Sequence, residues 1–124
     1  MNNDWIEFHE TGYEEKRRNP RVLLTKERVF RLNRKAIELL GRPKAVAFRF
    51  DVGRGRIGIR VEEPGVPHAF PARLQDKRGY TTIIHGAQFC SRFGIKPEST
   101  IEFDGVRLDD DGTMILDLAT ARRR

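Results

Sequence analysis

Apolar residues recur with two different periods along this 124-residue chain, and the switches between them mark its elements. Val29-Phe30-Arg31-Leu32 is a short β-prone run that reaches Asn33, a residue suited to opening a helix. Ala36, Ile37 and Leu40 then fall at i, i+1 and i+4, one face of about two helical turns. Gly41 stands where a left-handed cap is needed and Pro43 discourages continuation. Beyond it the period drops to two: Val46, Phe48 and Phe50 alternate as a half-buried strand does, Val52-Gly53-Arg54-Gly55 turns the chain, and Ile57, Ile59 and Val61 alternate against Arg56 and Arg60.

The same sequence of signals returns 53 residues later. Thr81-Thr82-Ile83-Ile84 leads to Gly86, Phe89, Cys90 and Phe93 share a helical face, Gly94 and Pro97 end it, and Ile101 and Phe103 alternate. A longer piece with Val106 and Leu108 then meets Asp110-Asp111-Gly112 before Met114, Leu116 and Leu118. Identities are few (Gly41 and Gly94, Phe50 and Phe103, Asp51 and Asp104), so matching periodicity carries the repeat. Residues 62–67 form a turn-rich connector, and His68 to Leu74 an additional strand that Pro71 confines to a sheet edge. Residues 1–20 lack a sustained period, end in the turn Arg18-Asn19-Pro20, and are expected to dock in part through Trp5, Ile6 and Phe8; Arg122-Arg123-Arg124 reads as a basic tail. The expected fold is therefore mostly β with two short helices: one barrel-like domain over 21–121, built from pseudo-symmetric β-α-β-β halves at about 25–61 and 80–118.

The stretch from Arg28 through the Leu39-Leu40-Gly41 helix end and on to Val61 resembles the AbrB/MazE-like swapped-hairpin family, well over Thr25 to Val61 and less well over Tyr80 to Leu118. The resemblance implies half-units that exchange hairpins into one barrel, here within a single chain, and the activity of small bacterial DNA-binding regulators and antitoxins. The second copy opens its helix with His85-Gly86-Ala87-Gln88, without a basic residue, so the implied DNA contact falls on the first half.

Charge sharpens that assignment. The net +6 divides into −5 over residues 1–15, +12 over 16–60, −4 over 61–121 and +3 at the end, and 18 of the 24 basic residues are Arg. A block of this kind recruits polyanions, and the guanidinium fork suits phosphate and guanine edges. Strand alternation turns Arg31 away from Phe30 and Leu32, with Arg28 near the strand start; Arg34 and Lys35 open the helix; Arg54 and Arg56 crown the hairpin. These six are the candidate contacts for duplex DNA, and a homodimer would match the symmetry of palindromic sites. The rival readings are a non-catalytic module that binds a protein through Phe89, Phe93 and the acidic loop, and a small enzyme or ligand-binding barrel with a pocket between the halves.

Other chemistry finds little footing. Gly53 to Gly58 matches GxGxxG, but an alternating strand follows where a nucleotide site needs a helix. Asp109-Asp110-Asp111-Gly112 lacks the ligand spacing of a calcium loop, and His9, His68 and His85 match no catalytic or metal spacing. Cys90, alone, cannot form an internal disulfide and reads as core. No enzyme activity, cofactor or metal is expected. The absence of a signal-peptide pattern or a long apolar run points to a cytoplasmic protein without membrane contact.

Overall fold

The structure, a computed structural model, describes residues 19–124; the arm expected over 1–20, with Trp5, Ile6, Phe8 and His9, lies outside them except for Asn19 and Pro20. The chain is mostly β, with two helices and two sheets. Its strands are β1 (Arg21–Leu24), β2 (Val29–Asn33), β3 (Ala45–Asp51), β4 (Arg56–Val61), β5 (Phe70–Pro71), β6 (Arg73–Leu74), β7 (Thr81–His85), β8 (Ile101–Asp104), β9 (Arg107–Leu108), β10 (Met114–Asp117) and β11 (Arg122–Arg123). Helix α1 spans Arg34–Leu39 and α2 spans Ala87–Phe93. The first sheet runs β11-β8-β1-β2-β7-β6 and the second β5-β3-β4-β10-β9. Every pairing is antiparallel, and β1 and β11 flank β8 on its two sides.

The helices begin and end as their sequences direct. The Asn33 side chain accepts from the Ala36 amide at 2.9 Å, supplying the cap that an unsatisfied first-turn N–H requires. Gly41 and Gly94 take φ of +83° and +68°, the left-handed geometry that a side chain resists. Ala36, Ile37 and Leu40 on α1, and Phe89 and Cys90 on α2, are buried in one cluster with the inner faces of both sheets: Val22, Leu24, Phe30, Leu32, Ile84 and Phe103 from the first, Val46, Ile57, Ile59, Met114 and Leu116 from the second. Phe30 and Phe48 meet across the two sheets with ring centroids 5.0 Å apart.

Several expectations require correction. The strands do not close into a barrel among the described residues. The run from Phe70 to Leu74 divides at Ala72, sending Phe70–Pro71 to β3 and Arg73–Leu74 to β7 in the other sheet. Proline, which has no N–H, does sit on an edge strand there. A second strand, β1, precedes the repeat; its inward Val22 and Leu24 pair between β2 and β8. Arg122–Arg123 is no tail but the edge strand β11, and the Arg124 amide bonds the Thr100 carbonyl at 3.0 Å. The 53-residue repeat holds through the helices and their glycines but slips in the leading strands. Phe30 and Leu32 face inward, whereas Ile83 and His85 face outward and Thr82 and Ile84 take the buried side, because a shift of one residue exchanges the faces of a strand. Likewise β3 and β4 form a hairpin within one sheet, while β8 and β10 belong to different sheets.

Candidate functional site

The inner side of the six-stranded sheet is apolar, and alternation sends every second residue, polar or not, to the outer face. On β1 these are Arg21 and Leu23, on β2 Val29, Arg31 and Asn33, on β7 Thr81, Ile83 and His85, on β8 Glu102 and Asp104. Cross-strand register assembles them into rows. One row runs the width of the sheet: Arg122, Glu102, Leu23, Arg31, Ile83, Arg73. At about 4.8 Å between strands, five spacings make it about 24 Å long.

A groove of about 910 Å³ opens on this face. Arg21, Arg31, Arg34, Lys35 and Arg124 line it, together with Asn33, Gln75, Tyr80 and Thr81. Glu38 is its one acidic residue among the described residues. A smaller groove of about 380 Å³ adjoins it, sharing Leu23, Arg31 and Arg124 and adding Thr25, Glu27 and Thr100. Arg31 and Arg124 therefore stand where the two meet.

Fixed carboxylates restrain some of these cations. Arg21 meets Glu102 at 3.1 Å. Glu38 receives Arg34 at 2.9 Å, Arg42 at 3.1 Å and Lys35 at 4.0 Å, and the Arg34 hydrogen bond, with help from Arg42, holds its carboxyl below the usual range against partial desolvation. The Arg34 guanidinium also lies 5.8 Å from the centre of the Tyr80 ring. Arg31, Arg73 and Arg122 form no ion pair among the described residues. They are exposed and fully available to an external anion.

Of the six residues singled out by sequence, the fold brings Arg31, Arg34 and Lys35 to this groove and leaves three elsewhere. Arg28 occupies the β1–β2 turn at a φ of +64°, its amide bonded to the Thr25 carbonyl and its carbonyl to the Gly86 amide. Its Nε is buried without a partner. Arg54 sits at the tip of the β3–β4 hairpin in the second sheet, where Asp51 accepts its amide. Arg56 begins β4 with its guanidinium on Asp51 at 3.1 Å, while its Nε is buried without a partner. Arg21, Arg73, Arg122 and Arg124 were not legible as contacts, because nothing in one strand announces its lateral neighbours; the short run Arg21-Val22-Leu23-Leu24 is too brief a signal to have singled out Arg21.

The remaining candidate chemistry resolves into structure. The GxGxxG match is the β3–β4 turn. Asp109 and Asp111 bind the Thr113 amide and close the β9–β10 turn, and Asp111 bonds Arg49 at 2.9 Å. Among the described residues, no group of three or more His, Cys, Asp or Glu could hold a metal. Burial pushes the Cys90 thiol up to about 11, well away from the thiolate a nucleophile needs. His68 pairs with Glu62 at 2.6 Å and His85 is exposed. No helix among the described residues is long and apolar enough to cross a membrane. Comparison with known proteins finds no matching family model, no similar curated protein and no similar solved structure.

Proposed function

We propose that this chain is a DNA-binding protein, of regulator or antitoxin type, that engages the sugar–phosphate backbone through the outer face of its six-stranded sheet. One observation carries the reading: Arg21, Arg31, Arg34, Lys35 and Arg124 converge on a single groove, in excess of the two carboxylates, Glu38 and Glu102, that pair with some of them. Cations gathered on one concave face reinforce one another's field, and displacement of condensed counterions by their phosphate contacts drives binding. The pairing of β2 with β7 and of β4 with β10 joins the two halves, and we read it as a degenerate form of the strand exchange that the AbrB-like resemblance implies. A second reading, a protein-binding module, rests on Phe93. This ring is 38% exposed, stands 5.0 Å from Phe50 and carries the Arg92 guanidinium above it.

Fluorescence anisotropy with random-sequence DNA, duplex and single-stranded, across about 50 to 200 mM salt tests the proposal. About five neutralised phosphates give a log–log slope near −4. Arg31→Glu combined with Lys35→Glu should weaken binding by about tenfold or more at low salt, whereas Arg54→Ala with Arg56→Ala should leave the slope nearly unchanged. Failure of the native protein to bind either form of DNA at low salt overturns the reading.

A further inference from the structure

The row across the sheet has a chemical alternation that the charge total hides. Reading from the middle to one edge it goes Arg31, Ile83, Arg73; toward the other it goes Arg31, Leu23, then Glu102 and Arg122. Glu102 is already met by Arg21. The three arginines of the row are exposed, while Leu23 and Ile83 are half-buried and present apolar surface between them. The arginines are spaced by about three and two strand separations, about 14 and 10 Å.

Resting on the reading above, we infer that the ligand is single-stranded polynucleotide, laid across the strands from β11 to β6, with phosphates on Arg122, Arg31 and Arg73 and bases resting on Leu23, Ile83 and the Arg31 guanidinium plane. A closed duplex turns its sugar–phosphate backbone outward and keeps its base faces stacked inside, so Leu23 and Ile83 would gain nothing against it. An unpaired strand offers base faces and phosphates together, and both kinds of side chain are then used. Reading a duplex from its major groove requires an element that projects into it. This face opens into a groove beside β2, and its one helix, α1, has six residues with Arg34 and Lys35 drawn to Glu38.

The test compares labelled oligo-dT, oligo-U and a DNA duplex of equal length, at one salt concentration, on the full chain. Single strands should bind about tenfold tighter than duplex. Affinity should rise with oligonucleotide length and level off once the strand covers the row of about 24 Å, at fewer than about seven nucleotides, the number a fully stacked strand would need. The dT and U arms separate DNA from RNA as the source of the strand. Arg73→Glu and Arg122→Glu, at opposite ends of the row, should each weaken single-strand binding and shorten the length at which affinity levels off. Ile83→Thr, which keeps a β-branched side chain in β7, should reduce single-strand affinity several-fold and leave duplex affinity unchanged. Duplex bound as tightly as single strand, or indifference to both edge arginines with Ile83→Thr also silent, overturns the inference while leaving the DNA-binding reading intact; no binding to any polynucleotide removes that reading first.

Discussion

Asp111 shows how a single side chain in this protein can be mistaken for chemistry. Its contacts with Asp109, with the Thr113 hydroxyl and amide, and with Arg49 hold its carboxyl well below the usual carboxylate range. The group is exposed, so it matters as a pH sensor of stability more than as a large contribution to it. Because its folded pKa lies below its unfolded one, it stabilises the fold above the unfolded value near pH 4, and the contribution is lost as pH falls toward the folded value. Asp111→Asn should therefore lower the melting temperature at pH 7, and the gap between wild type and variant should start to narrow below about pH 4 and go on narrowing as the pH falls further. Glycines obey equally local rules. A Cβ at Gly86 would stand 2.5 Å from the Phe30 ring, so the residue that opens α2 is fixed by how closely β2 passes it and not by capping, since it offers no side chain to cap with.

At the scale of elements, the legible parts were those whose period lasts. Helices α1 and α2 were visible because apolar spacing, a starting residue and a terminal glycine agreed, and the β3–β4 hairpin because alternation ran on both sides of a Gly-rich turn. Strand β1 escaped because Arg21-Val22-Leu23-Leu24 is only four residues long, and β11 because Arg122-Arg123 has no apolar signal at all. Its place is assigned by the open edge of β8. For the site, alternation and the helix start found Arg31, Arg34 and Lys35, since their orientation is a local property. Arg54 and Arg56 were misassigned to the same surface because the sheet a hairpin joins is settled by distant partners. The apolar face of α1 can be tested directly. Leu40 is 6% exposed within the core cluster, and Leu40→Ala should cost about 2 to 5 kcal/mol, measured by urea unfolding with an unchanged m-value.

For the molecule as a whole, the seams between the halves are central and not peripheral. Strands β2 and β7 pair over five residues in the middle of the first sheet, and β4 and β10 pair over four in the second. Each half alone would leave those edges open and Phe30, Ile59 and Met114 without their cross-seam neighbours. Residues 19–61 and 68–124 produced as separate chains should show no cooperative thermal transition, while an equimolar mixture should recover one; independent melting by either piece would disprove this account. The outer strands β5, β6, β9 and β11 have two residues each, which offers little template for pairing with another copy.

Strands β1 and β11 lie parallel to each other on opposite sides of β8, with Arg21 opposite Asp104 and Arg123 opposite Ile101. Two strand spacings and three residues along the strand separate these points by about 14 Å. A bridge of about five residues can cover that distance. The order of the chain could thus be rewritten: a bridge from Arg124 to Asn19 in place of residues 1–18, with a new opening cut in the exposed connector at Gly65, would keep every ladder bond among the described residues. In such a rearranged molecule Arg122 would move into the interior of the polypeptide while Arg73, at the opposite edge of the same face, would come to lie close to the new start, so the two borders of that face would exchange their dependence on a chain end.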